Sequence, residues 1–317
     1  MGTNTQSIAA SVQPILNQLR KVVVGKDQTL LWVLAAILAR GHILLEDLPG
    51  VGKTTMALAF SKVIGLDCRR LQFTPDVLPS DVTGYCAYQH HTGKMVYQPG
   101  AVLCNLFLAD ELNRATSRTQ SALLEAMEEA QVTVEGVSHP IPKPFIVMAT
   151  QNPFGAAGTQ RLPDSQTDRF MIRLRMGYPD AVSEATMVAL RLDGDPMDSV
   201  TPLLTREQLL QMQETVAKTY IKSNVIDYIV ALVQATRTHN DIIQGASPRA
   251  TLAVAAMARA MAQLKGRNYV IPADVKSVFV TTVAHRIQPK PGTMTNDMFP
   301  ELLLQDILSA VKAPSID

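Results

Sequence analysis

The chain has 317 residues, 47% hydrophobic and 18% charged, which excludes a disordered or fibrous protein and leaves length enough for two domains. A net charge of +1 gives no global basic footprint, so no nucleic-acid partner is expected. Three cysteines, Cys68, Cys86 and Cys104, are too few and too scattered for a disulfide framework and point to the reducing cytoplasm.

The opening stretch MGTNTQSIAASVQP has no charged start followed by an apolar run, so no signal peptide is expected. Met1-Gly2 through Ser7 partly fits a myristoylation signal, a short pattern read here as chance. The longest apolar run, Leu30 to Ala39, is too short to cross a bilayer and reads as a core helix, so no direct membrane insertion is expected. Strands are expected at 43–46, 68–73, 104–109, 144–150 and 170–175. Several are nearly continuous apolar runs, as strands buried on both faces are. Two alternating stretches, 83–100 around His91-Thr92-Gly93 and 130–143 around Gly136, read as β-hairpins projecting from that sheet. After Gly177-Tyr178-Pro179-Asp180 the pattern turns helical, over 182–192, 205–221, 223–239, 248–265 and 272–287. The chain therefore divides into an α/β module, residues 1–180, and an all-α module, residues 181–317, with a hinge near 178–181. Met257 and Met261 fall at helical spacing and read as core filler. Cys86, His90 and His91 lack a second ligand pair, which argues against a zinc site.

The stretch DLPGVGKTT, residues 47–55, ends as a phosphate-binding loop but begins with Asp47 where G-x-x-x-x-G-K-[ST] calls for glycine. Its context decides the reading. An apolar strand precedes it, and Lys53 opens a helix whose Met56, Ala59, Phe60, Val63 and Ile64 share one face. Gly50 and Gly52 let the backbone approach an oxyanion, Lys53 reaches outer phosphates and Thr54 ligates Mg²⁺. Asp47 is then a turn residue whose carboxylate points away from the phosphates.

Hydrolysis needs more. The strand LFLADE ends in Asp110, suited to orienting magnesium waters, and Glu111, suited to activating the attacking water. The strand VMATQNP ends in Asn152, which can position the same water, since neighbouring parallel strands open into one crevice. Arg169, in SQTDRF, suits a transferring phosphoryl group across a subunit boundary; it equally suits an ion pair with Asp164 or Asp168. Arg249, in GASPRA, opposes the helix dipole in the first turn of a helix, or is an ordinary surface arginine.

On these residues the chain resembles the MoxR family of AAA+ ATPases over about residues 10–290. The resemblance is carried by VVVGKDQ (22–28), LLEDLPGVGKTT (44–55), FTPDVLPSDVTG (73–84), LADELNRATSRTQSALLEAMEE (108–129), MATQNP (148–153), GTQRLPDSQTDRF (158–170), GYPD (177–180) and GASPRA (245–250). It implies a P-loop AAA+ α/β domain, with a parallel five-stranded sheet and two inserted hairpins, followed by an all-α lid, assembled as a hexameric ring. It implies that Val23, Val24 and Gly25 lie by the adenine, that Gly50, Val51, Gly52, Lys53, Thr54 and Thr55 hold ATP with Mg²⁺ on Thr54 and Asp110, and that Glu111 is the base. It makes Asn152 the first sensor, Arg169 the arginine finger and Arg249 the second sensor. It further implies chaperone-like maturation or activation of client proteins, sometimes by metal insertion, with a von Willebrand factor A-domain partner. Phe154-Gly155 and Gln160-Arg161 depart from the family pattern, and Arg161 becomes a rival or helper to Arg169. Two other readings stand beside it: a nucleotide-gated scaffold with little turnover, and a DNA motor. The hairpin 130–143, with one Lys, one Glu and no aromatic, is poorly built for the second.

Overall fold

The computed structural model describes residues 8–46, 50–152, 162–290 and 299–315. Asp47, Phe154, Gly155, Gln160 and Arg161 lie outside the described residues.

In chain order, helices α1 (Ile8–Arg20) and α2 (Asp27–Leu38) lead into β1 (Ile43–Glu46) and α3 (Lys53–Ile64). Then come β2 (Cys68–Gln72), the short α4 (Pro79–Thr83), and a hairpin of β3 (Gly84–Gln89) and β4 (Lys94–Pro99). Strand β5 (Leu106–Asp110), helix α5 (Ser117–Glu129), a second hairpin of β6 (Gln131–Val134) and β7 (Val137–Pro140), and β8 (Ile146–Gln151) follow. The α/β part closes with α6 (Asp164–Thr167) and β9 (Ile172–Leu174). Helices α7 (Ala181–Leu192), α8 (Arg206–Ala217) and α9 (Ser223–Thr238), strand β10 (Ile242–Gln244), helices α10 (Pro248–Leu264) and α11 (Pro272–Val283), strand β11 (Gln288–Pro289) and α12 (Phe299–Ala310) complete the described chain.

The five-stranded sheet is parallel throughout, in the order β2-β5-β8-β1-β9. Both its faces are buried except along the edge strand β2, and the inner strands alternate between two cores as a pleated backbone requires. Ile43, Leu45, Leu106, Leu108, Ile146 and Met148 point to one side. Leu44, Phe107, Ala109, Val147 and Ala149 point to the other. The second core is closed by α5, where Leu123 and Leu124 meet Phe73, Val82 and Phe170. The first holds the apolar faces of α2 and α3, including the predicted Met56, Ala59, Phe60, Val63 and Ile64, and continues without a break into α8–α12. Phe60 is fully buried there, so its truncation to Ala removes about 3–5 kcal/mol. Met257 and Met261 also lie in this core.

Both hairpins form as expected, and Tyr97 of the first stacks on His139 of the second at 3.7 Å between ring centroids. Element ends differ from the sequence reading for local reasons. The strand expected from 144 begins at Ile146, because Pro144 has no N–H to donate to a ladder. The strand expected from 170 begins at Ile172, because the Phe170 carbonyl accepts from Arg286 at 2.7 Å instead of a strand partner. The helix expected over 205–221 stops at Ala217, and Tyr220 bridges to Tyr269. The helix expected to 287 ends at Val283 and tightens into a 3-10 turn over Ala284–Arg286. Helices α1 and α12 and the β10–β11 pair carried no periodic signal that the sequence reading used. Among the described residues no helix is long and apolar enough to cross a membrane, and no cluster of three or more His, Cys, Asp or Glu is placed to hold a metal.

Candidate active site

The loop after β1 opens α3 at a helix N-terminus that no side chain caps. Gly50 and Gly52 have φ of 86° and 92°, a left-handed backbone that glycine adopts without strain. The first N–H groups of α3 thus face outward with the positive end of the helix dipole, a built anion seat. Lys53 is only 7% exposed, and its Nζ lies 3.5 Å from both the Gln151 carbonyl and Asn152 Oδ1. Thr54 Oγ1 donates to Asp110 Oδ2 at 3.1 Å. The sheet order makes this meeting: β1, β8 and β5 lie side by side, so their C-terminal ends bring Lys53, Asn152 and Asp110 into one crevice.

Asp110 is held by residues the sequence reading did not single out. Thr150 on β8 donates to Asp110 Oδ1 at 2.6 Å and accepts from the Glu111 N–H at 2.8 Å. Arg70 on β2 donates to Asp110 Oδ2 through Nε at 3.1 Å and Nη2 at 2.8 Å. Burial pushes the Asp110 carboxyl upward, but the hydrogen bonds from Thr150, Arg70 and Thr54 outweigh it and leave it below the usual range. It is a carboxylate at neutral pH, as the expected metal-orienting role requires.

Glu111 sits at φ 56°, a left-handed conformation uncommon for a residue with a side chain and frequent at functional sites. That turn aims its carboxylate into the crevice. Its Oε1 accepts from Asn152 Nδ2 at 3.4 Å, and its Oε2 pairs with Arg114 at 2.8 Å. Asn113 clamps the backbone of Asn152 from both sides, donating to its carbonyl at 3.1 Å and accepting from its N–H at 3.3 Å. Asn113 and Arg114 lie within the LADELNR segment, where the tie of Asn113 to Asn152 is invisible until β5 and β8 are paired.

Beside the loop lies a largely apolar cavity of about 320 Å³, lined by Val23, Val24, Gly50, Val51, Gly52 and Thr55 on one side and α7 on the other. Gly25 packs on the first turn of α7: a Cβ there would stand 2.2 Å from Ser183 Oγ. Lys26 donates to the Tyr178 carbonyl at 2.9 Å and closes the same corner. The expected adenine-side residues therefore border the phosphate loop, with α7 as the far wall.

Arg169 and Arg249 are not in this crevice. Arg169 precedes β9, at the opposite end of the sheet from the strand termini that carry Asp110 and Asn152. Helix α5 runs back to that end, where the Met127 carbonyl meets His42 Nε2 just before β1, at 3.3 Å. The next residue, Glu128, takes both arginines: Arg169 Nη2 at 3.2 Å on Oε2 and Arg249 Nη2 at 2.7 Å on Oε1. Arg169 also donates to the Leu124 carbonyl at 2.6 Å. Its ion-pair partner is thus Glu128, not the Asp164 or Asp168 that spacing suggested. Asp168 instead pairs with the buried Arg286 at 2.8 Å and accepts from Ser247 at 3.3 Å. Arg286 donates to the carbonyls of Asp168 at 3.0 Å and Phe170 at 2.7 Å, bracketing Arg169. Burial pulls the Arg286 guanidinium down to about 10 against the pull of Asp168, so it stays charged at neutral pH.

Residues 42–172 match the ATPase family associated with various cellular activities (AAA), and residues 234–302 match the AAA lid domain. The chain is 44% identical to the uncharacterized protein YeaC of Bacillus subtilis (strain 168), over 94% of this chain and 93% of that one. It is 36% identical to the chaperone MoxR1 of Mycobacterium tuberculosis, over 98% of this chain and 85% of that one. A crystal structure of a protein from Cytophaga hutchinsonii ATCC 33406 superposes with a TM-score of 0.89 at 34% identity, covering 98% of this chain and 97% of that one. Together with the parallel sheet, the phosphate loop and the helical half, these matches show that the chain belongs to the MoxR family of AAA+ ATPases.

Proposed function

We propose that this protein hydrolyses ATP in the crevice formed by Lys53, Thr54, Asp110, Glu111 and Asn152, and that a second copy completes the site with Arg169 and Arg249. The observation that carries the proposal is the convergence of these five side chains at the C-terminal ends of three adjacent parallel strands. The triphosphate lies against the uncapped N-terminus of α3 with Lys53 on its outer oxygens, and the base occupies the cavity beside Val23 and Val24. Thr54 and Asp110 offer hard oxygen donors 3.1 Å apart, a fit for Mg²⁺. When bound, the metal supplies charge neutralisation on the phosphate oxygens. Glu111 takes the proton of the attacking water, and Asn152 orients that water.

Arg169 and Arg249 stand at the other end of the same sheet, where they serve a neighbouring copy rather than their own crevice. Their place supports a closed ring, here a hexamer, because a head-to-tail contact repeated by rotation presents one copy's far end to the next copy's crevice. The work of the ring is chaperone-like remodelling, maturation or activation of a client protein in the cytoplasm, metal insertion included, with a von Willebrand factor A-domain protein as partner. The name of the mycobacterial relative supports the chaperone reading. The division into residues 1–180 and 181–317 belongs to the same proposal. It rests on the change from sheet to helices at Gly177–Asp180, where Asp180 caps α7 by accepting from the Ser183 N–H at 2.7 Å.

A gated scaffold with little turnover has one observation in its favour: the Arg114 pair neutralises the Glu111 carboxylate. Phosphate release from Mg·ATP, compared between native protein and Glu111→Gln, decides between them. Turnover that falls with nucleotide binding retained supports the base; turnover unaffected by the substitution removes Glu111 from the mechanism.

A further inference from the structure

Arg70 stands out as a cation beside the metal-orienting carboxylate that the phosphate-loop chemistry does not call for. It lies on β2, the edge strand, opposite Leu108, while Gln72 is the residue opposite Asp110. Its side chain therefore extends along the strand direction to reach Asp110. Both of its bonds, 3.1 Å from Nε and 2.8 Å from Nη2, go to Oδ2, the same oxygen that accepts from Thr54. Oδ1 is engaged separately by Thr150 at 2.6 Å. A carboxylate oxygen has about two lone-pair directions. Oδ2, with three N–H and O–H donors, has none left for a metal-bound water.

Of those partners, Thr54 and Thr150 are short side chains fixed at the ends of packed elements. Arg70 is long, on an edge strand, and its side chain is 47% exposed against 10% for Asp110. It is the partner free to leave toward solvent. Resting on the nucleotide reading above, we propose that Arg70 is a positioning residue that takes the electrostatic place of Mg²⁺ on Asp110 in the nucleotide-free protein, and must yield Oδ2 before metal and nucleotide load. It keeps Asp110 aimed at Thr54 in the resting state, and it sets how much Mg²⁺ the site requires. The two cations compete because like charges cannot share one carboxylate oxygen without repulsion. The half-exposed position of Arg70 keeps that competition modest.

The probe is the fluorescent nucleotide mant-ADP, titrated with Mg²⁺ at constant ionic strength against native protein, Arg70→Ala and Arg70→Lys. The Mg²⁺ midpoint for nucleotide binding falls roughly three- to tenfold in Arg70→Ala. Arg70→Lys, which keeps the charge but loses the fork, falls between Arg70→Ala and native. Thermal unfolding without Mg²⁺ reads a purely structural role: a lower Tm in Arg70→Ala with an unmoved midpoint means that Arg70 only braces β2 against β5, and overturns the proposal. Arg70→Gln, which retains hydrogen bonding without the charge, carries the same test if Arg70→Ala does not fold. If the native protein binds no mant-ADP at any Mg²⁺ concentration, the nucleotide reading fails and takes this one with it; if binding is intact and the midpoint is unchanged, this one fails alone.

Discussion

The two ends of the parallel sheet are built on different plans. At the C-terminal end, short side chains from adjoining elements hold the site residues in place, Thr150 and Thr54 on Asp110 and Asn113 on Asn152, with the long Arg70 added at the sheet edge. At the N-terminal end, long arginines reach a shared carboxylate at the surface, and Arg169, Arg249 and Glu128 keep side-chain exposures of 30%, 45% and 42%. The first plan suits a preorganised cradle that waits for its ligand. The second suits groups that must change partners when another molecule arrives. On the proposed roles neither end is a complete hydrolase alone: the base and the cation-orienting carboxylate lie in the crevice, while Arg169 and Arg249 stand at the far end.

Substitutions at each end separate the two plans. The largest effect belongs to Arg169→Ala, with turnover down by about 10³–10⁵-fold while mant-ADP affinity stays near native. Loss of nucleotide affinity in the same variant would place Arg169 in its own crevice and erase the difference between the two ends. Glu111→Gln lowers turnover by about 10²–10⁴-fold, also with nucleotide retained, since it removes a proton acceptor and leaves the cradle intact. Asn113→Ala releases the backbone of Asn152 and costs on the order of tenfold to 10²-fold in turnover, with kcat rather than KM carrying the change. Native-like kcat there would show that the strand ends do not need this brace.

The smallest effect is on stability. His42 accepts from the Val147 N–H at Nδ1 and donates to the Met127 carbonyl at Nε2, an arrangement only the neutral ring can make. Burial holds its pKa down at about 4, below the ordinary 6.5, with the Met127 bond opposing. The unfolded chain takes up a proton near pH 6.5 and the folded chain does not until about pH 4, so this stabilisation is complete above pH 6.5 and is lost as pH falls toward 4. Thermal melts across that window show Tm falling with pH, and His42→Gln flattens the part of the slope that His42 supplies.

The phosphate end was legible because its chemistry is contiguous: Gly50 to Thr55 is one loop, and Asp110-Glu111 and Asn152 each end a recognisable apolar strand. The shared crevice of parallel strand ends was legible too, while the order β2-β5-β8-β1-β9 comes from the structure. What the sequence hid are contacts between elements. Arg70 looked like one of two arginines in an ordinary strand, and only the β2–β5 pairing sets it on Asp110. Arg169 and Arg249 were each visible, but their meeting at Glu128 needs α5, α6 and α10 folded together. A motif search finds neither because the partners are far apart in the chain and share no spacing rule. The strands β10 and β11 escaped for another reason: runs of three and two residues carry no readable periodicity.

A site shared between two copies is tested most sharply by mixing two inactive variants. Lys53→Ala lacks the phosphate cradle but keeps Arg169 and Arg249; Arg169→Ala keeps the cradle but lacks the finger. If the ends of two copies form one active site, each variant alone is nearly silent, and mixing them restores a measurable fraction of native ATP turnover wherever an intact crevice meets an intact far end. No recovery on mixing under conditions where the variants assemble together, or near-native turnover by Arg169→Ala alone, contradicts it.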